Sequence, residues 1–333
     1  MNFEWVAWSN PVALWWGSLL LVSSANIALW FVLRRHLQRC ALGVLRARFR
    51  VELMVMLCAA YVFGCAFRSA LPRADVQRIV LFDTWLSSVM VGRSVATIAE
   101  LCFAIQWAIV LYQLGRLARS DAARNISYAV VPLIVMAECC SWYAVITTSY
   151  LGNTIENSLW AVAFLLVAGG LLRLLYEFRG FMQLAIATAI TGIAVYLAFL
   201  AVIDVPMYFE RWQADLIGGK QLLGLLAGLH DVSARWVVTH DFGQWEDEIA
   251  WMTLYFSAAV WSSLALCGLG LIADRLAHYR AKRARRTRPV RKFLPVVYRP
   301  PRLLPAPVLV RSAGRLNRSP AGTPRGRNPP PLA

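Results

Sequence analysis

The chain has 333 residues, 59% hydrophobic and only 16% charged, with a net charge of +16. Its apolar residues fall in long runs, which excludes an ordinary soluble domain and marks membrane helices. The charge does not point to nucleic acid: sixteen of the 34 Lys and Arg and none of the 18 Asp and Glu follow Asp274, so the rest of the chain is charge-balanced and no folded nucleic-acid reader accompanies the basic tail.

Residues 1–10 carry Glu4 and no Lys or Arg. A secretory signal begins with positive charge, so the first apolar run is expected to be a retained helix with residues 1–10 outside. Seven runs are long enough to cross the hydrocarbon: Pro11–Leu33, Val51–Leu71, Ser94–Gly115, Ser127–Thr147, Glu156–Tyr176, Phe181–Ile203 and Ile249–Asp274. The expected fold is therefore all-α, a polytopic integral membrane helical bundle over 11–275, followed by a disordered cytoplasmic tail over 276–333.

The connections mostly alternate in charge. Arg34 to Arg50 holds six Arg and no acid; the connections after the third and fifth spans are also basic. The connection between the fourth and fifth spans has no Lys or Arg, and the outer loop 204–248 is acidic. The positive-inside rule then gives N-out and C-in, the orientation expected in a bacterial inner membrane. One connection fits poorly: Arg73, Arg78 and Arg93 outnumber Asp75 and Asp83 on the outer side. Its apolar stretch 79–91 is short and holds Asp83, so an interfacial or re-entrant segment is expected rather than an eighth crossing.

Eleven of fourteen Trp fall near the outer side: Trp5, Trp8, Trp15, Trp16, Trp85, Trp142, Trp160, Trp212, Trp236, Trp245 and Trp251. An aromatic belt explains part of this, but a belt occupies both interfaces, so an aromatic-lined outer pocket is the alternative. The tail holds eleven of the fifteen Pro. Its segment Arg275–Arg288 is dense enough in Arg to hold anionic lipid headgroups, or serves only as a topology signal.

Ionisable residues inside a span are costly and point to function. Glu100 lies about 9 Å below the outer end of the third span, and Glu138 about 16 Å from the inner end of the fourth. Both are candidate catalytic groups that could move protons or hold a cation. Arg68 and Arg93 are candidate counter-charges and substrate ligands. Gln106, which shares a stripe with Gln113, and Trp142, one turn beyond Glu138, are the other candidate substrate-binding residues. The alternative is a set of buried polar groups that glue helices together.

Two His-Asp pairs, His230–Asp231 and His240–Asp241, are weaker candidates for a metal, since the spacing matches no ligand motif. Asn153 with Glu156 reads as a helix cap and its partner. Glu246, Asp247 and Glu248 read as first-turn acids complementing a helix dipole. The seven Cys read as packing residues. No phosphate loop or nucleophile elbow occurs, no His lies in a span, and the last span lacks the Lys a retinal protein needs. No cofactor is indicated. Three readings stay open: an enzyme acting on a lipid or membrane-borne substrate, a proton-coupled transporter, and a non-catalytic subunit or sensor.

Overall fold

A computed structural model describes residues 10–40, 45–270 and 272. Trp5, Trp8, the Asp274 end of the seventh span and the basic tail with its headgroup contact lie outside the described residues. Among the described residues the chain forms seven helical stretches long and apolar enough to cross a membrane. They are α1 (Pro11–Cys40), α2 (Leu45–Ala70), α3 (Val89–Ala118), α4 (Asp121–Thr147), α5 (Tyr150–Leu175), a sixth stretch and a seventh. The sixth is α6 (Phe181–Phe199), continued through a π-helical turn (Leu200–Asp204) into α7 (Val205–Ile217). The seventh is α9 (Phe242–Leu254), continued through a second π turn (Tyr255–Ala259) to Gly270. Helix α8 (Leu225–Ala234) lies between them.

Several helices begin or end beyond their apolar runs, because helices stop at caps rather than where the bilayer does. Ser88 caps α3 by accepting from Val91 N, Ser120 caps α4 by accepting from Ala123 N, and Asp241 caps α9 by accepting from Gly243 N. The sixth stretch reaches Ile217 and the seventh starts at Phe242, so most of the expected loop 204–248 is helical.

The stretch 79–91 does not cross. It supplies β2 (Ile79–Val80), which pairs antiparallel with β1 (Arg73–Ala74) and parallel with β3 (Val237–Val238), then a short 3-10 turn and the start of α3. Arg78 fastens this cap, with Nε on Asp231 Oδ2 at 2.7 Å and Nη2 on the carbonyl of Val145. Trp245 donates to Thr239 O and packs on Trp15 at 5.7 Å, while Trp236 donates to Asp83. The face that carries the 71–88 and 218–241 segments is thus knitted by indoles; it is the cap face below.

Spans one to six pack in chain order, and the seventh returns to lie against α1 and α2. The core runs through spans two, three and five, where Tyr61 stacks on Phe103 at 4.6 Å and Phe103 meets Phe164 at 6.3 Å. The sixth span is the most apolar and the least buried of the seven. A helix apolar all round has no face that must be covered by protein when lipid is the solvent. It leans on α5, and its α6 part makes no substantial contact with the seventh span, while Arg211 of α7 pairs with Asp247 of α9 at 2.6 Å, so the ring of helices is left open along α6.

Candidate functional site

Below the cap face, one guanidinium nitrogen meets three carboxylates. Arg93 Nη2 lies 2.9 Å from Glu138 Oε2, 3.1 Å from Glu156 Oε1 and 3.3 Å from Glu100 Oε2. All four residues are buried. An –NH₂ group has two hydrogens, so it cannot serve three carboxylates fully, and the surplus of acid has to be met by a proton or another cation. Thr97 donates to Glu138 Oε2 at 2.6 Å and itself accepts from Trp142 Nε1 at 3.1 Å. Tyr255 donates to Glu100 Oε1 at 2.7 Å, and Arg68 Nη1 lies 4.0 Å from the same oxygen. Asn153 Nδ2 donates to Glu156 Oε2 at 3.3 Å.

One close backbone approach makes this meeting possible, and a second glycine seats Arg73 nearby. A Cβ on Gly152 would lie 2.7 Å from the carbonyl oxygen of Cys140, so glycine lets α5 press against α4 beside Glu138. A Cβ on Gly92 would lie 1.7 Å from Arg73 Nη1, so glycine opens the first turn of α3 to the Arg73 guanidinium. Arg73 Nη1 donates to Ser88 O at 2.7 Å, and its guanidinium sits 5.6 Å over the Phe67 ring. Burial pulls the pKa of Arg73 down to about 10, with Asp75 opposing the shift, so Arg73 stays a cation at neutral pH.

Glu100, Glu156 and Arg93 form part of the wall of a cavity of about 750 Å³. From them it runs between the sixth and seventh spans, lined from Phe181 to Tyr208 on one side and from Glu248 to Ile272 on the other. That is about 40 Å of helix on the first wall. Leu184, Val195 and Leu254 line it and are also at least half exposed, so it opens sideways where a transmembrane bundle faces lipid. Both π turns sit on these walls and carry Asp204 and Tyr255. Pro206 explains the first: it has no N–H, and its ring crowds the carbonyl four residues back. The second leaves the Phe256 carbonyl to accept from Asn26 Nδ2 at 3.0 Å. Widened turns of this kind recur at functional sites.

Several buried polar atoms on this lining have no hydrogen-bond partner. Among the described residues they are Nε and Nη2 of Arg73, Oδ1 of Asp75, Nε of Arg93, Nε1 of Trp107, Oγ of Ser141 and Oδ1 of Asn153. Buried polar groups are normally paired, and a cluster of exceptions calls for an explanation.

The predicted site residues divide into three groups. Arg68, Arg93 and Glu100 line the cavity, while Glu138 stands behind Arg93 and does not. Trp142 reaches the cluster only through Thr97. Gln106 lies elsewhere, enclosed between α2, α3 and the seventh span: it accepts from Ser263 Oγ at 2.6 Å and donates to Met54 O at 3.4 Å. The two His-Asp pairs are engaged in the cap. Asp231 binds Arg78, Asp241 caps α9, His240 Nε2 contacts Leu81 O at 3.1 Å, and His230 is exposed. Among the described residues, Glu100, Glu138 and Glu156 are the group whose spacing could suit a metal ion, their ligand oxygens lying within 4.8 Å of one another. Arg93 Nη2 takes up the space between them, so the cation they hold is a guanidinium.

The cap reading of Asn153 and Glu156 is corrected. Helix α5 starts at Tyr150, after Ser149, so both residues lie inside it and Glu156 turns toward Arg93. Glu248, read as a first-turn acid, is buried on the cavity wall, where Gln77 Nε2 donates to its Oε1 at 3.1 Å. Asp204 was not singled out by the sequence at all; Asn157 Nδ2 donates to its Oδ2 at 2.7 Å. The available signal was an acid at each boundary of an apolar run. No protein-family model, curated protein or solved structure matches this chain.

Proposed function

We propose that this multi-pass membrane protein is an enzyme acting on an amphiphilic, membrane-borne substrate, with Glu100 and Glu156 as the acid–base pair. The observation that carries this is the shape of the cavity: a charged end at Arg93, Glu100 and Glu156 continues into an apolar cleft that opens between two spans. An amphiphile in that cleft would bring its polar part to the carboxylates and leave its chain in a lipid-like environment. Glu138 and Thr97 act as positioning groups, holding Arg93 from behind the wall. Shared protons are the natural currency of three carboxylates on one guanidinium nitrogen, and a positioned carboxyl can give or take one at a bound substrate. With the positive-inside orientation, the N-terminus outside and a bacterial inner membrane, the charged end lies in the outer half of the bilayer. The tail segment Arg275–Arg288 would then rest on anionic headgroups at the inner surface.

The test is a comparison of membrane lipids, by mass spectrometry, from cells producing the wild-type chain or Glu156→Gln in equal folded amounts. At least one lipid species should change with the wild type, and its rate of change should fall about 100-fold in the variant, the scale of a lost acid–base group. Identical lipid profiles in the presence and absence of the wild-type chain would remove the enzymatic reading.

A further inference from the structure

Two more carboxylates face the same cavity, each held by a side-chain amide. Asp204 is buried and bound by the amide of Asn157, and Glu248 is buried and bound by the amide of Gln77. Among the described residues neither has an ion pair. Arg211, whose guanidinium lies 5.9 Å over the Tyr208 ring, is bound to Asp247 at 2.6 Å. Tyr208, one turn beyond Asp204, and Trp251, one turn beyond Glu248, line the cavity with them. Carboxylates held by amides rather than by ion pairs, beside an aromatic ring such as that of Trp251, suit an ammonium group. Arg73 offers the opposite chemistry on the same lining. It is 2% exposed, it remains charged, and among the described residues its Nε and Nη2 have no hydrogen-bond partner. A guanidinium with two free N–H directions suits a phosphate or carboxylate.

We propose that the cavity takes a zwitterionic lipid from the bilayer, its ammonium group at Asp204 and Glu248, its acidic group at Arg73, and an acyl chain along the cleft between the sixth and seventh spans. This rests on reading the cavity as the seat of an amphiphile, and not on the chemistry assigned to Glu156. The charge pattern explains what a simple apolar groove would not: acids outnumber bases on the lining, yet the least satisfied side chain is a base. A purely anionic lipid would use Arg73 and meet repulsion from Asp204 and Glu248. A purely cationic one would leave Arg73 buried and unpaired.

The probe is phosphatidylethanolamine, compared with phosphatidylglycerol and diacylglycerol, added to the full chain in detergent and followed by native mass spectrometry. The wild type should retain phosphatidylethanolamine about tenfold more strongly than either comparison lipid. The double variant Asp204→Asn, Glu248→Gln, which preserves shape, should lose that preference while still retaining phosphatidylglycerol. Arg73→Gln should weaken retention of both phospholipids and spare diacylglycerol. Should Arg73→Gln fail to fold, the double variant decides alone. Equal retention of all three lipids by the wild type, or an undiminished preference in the double variant, overturns the proposal. Selective retention with no change in cellular lipids would leave this binding site standing and sink the enzymatic reading. Turnover of a lipid without an ammonium group would do the reverse.

Discussion

Two buried polar networks cross this bundle, and they are built to opposite rules. The one around Gln106 is closed. Gln106 accepts from Ser263 and donates to the Met54 carbonyl, and Cys267 donates to that carbonyl at 3.3 Å, so three helices are joined with every one of these groups paired. The one around Arg93 is open. Three carboxylates compete for one nitrogen, and Arg73, Asp75 and Asn153 beside it leave buried atoms without partners. Both networks lie among apolar spans, so burial of polar groups alone does not separate glue from site. Completeness of pairing does, together with a place on the wall of the cavity of about 750 Å³, which Arg93 has and Gln106 does not.

The contrast can be broken most sharply at Arg93. Arg93→Leu leaves Glu100, Glu138 and Glu156 without their shared cation and should cost about 3–5 kcal/mol in an unfolding titration in detergent. A loss smaller than that of the Gln106 variant would mean that Arg93 is not what holds the open network together. Next comes the backbone approach that brings two of the carboxylates together. Gly152→Ala forces a methyl group against the Cys140 carbonyl, 2.7 Å away, and should cost about 1–3 kcal/mol while also disturbing lipid retention. Stability loss with unchanged retention would show that the Glu138–Glu156 spacing is not critical. Gln106→Leu should be the mildest, about 1 kcal/mol, as for other interhelical hydrogen bonds in membranes, and lipid retention should be unaffected. A variant at Gln106 that abolished retention while folding normally would erase the distinction between the two networks.

Part of this site is visible before folding. Glu100, Glu138, Arg68 and Arg93 stand out because each is a charge set in or beside an apolar run, and such residues are expensive wherever they face. Glu156, Glu248 and Asp204 do not stand out, because each sits at the edge of a run. There a carboxylate has a cheaper explanation as a cap, a dipole partner or a loop residue. The helices in fact extend past those edges: α5 begins at Tyr150 and α9 at Phe242, and the sixth span continues to Ile217. Residues that look peripheral by hydropathy are therefore well inside helices and turned inward. Gln106 shows the converse, a polar residue deep in a span whose bonds are all made within the bundle.

The amino-acid sequence by itself determined that the chain is a multi-pass helical membrane protein with seven spans, because the length of an apolar run is a local property and each run satisfies its own backbone. Tertiary structure alone decided which carboxylates meet at Arg93, that Glu138 stands behind the wall while Glu156 stands on it, and that the ring stays open between the sixth and seventh spans. Those outcomes depend on how each helix is rotated and how closely its neighbours approach. A helix that is apolar all round carries little record of either in its sequence.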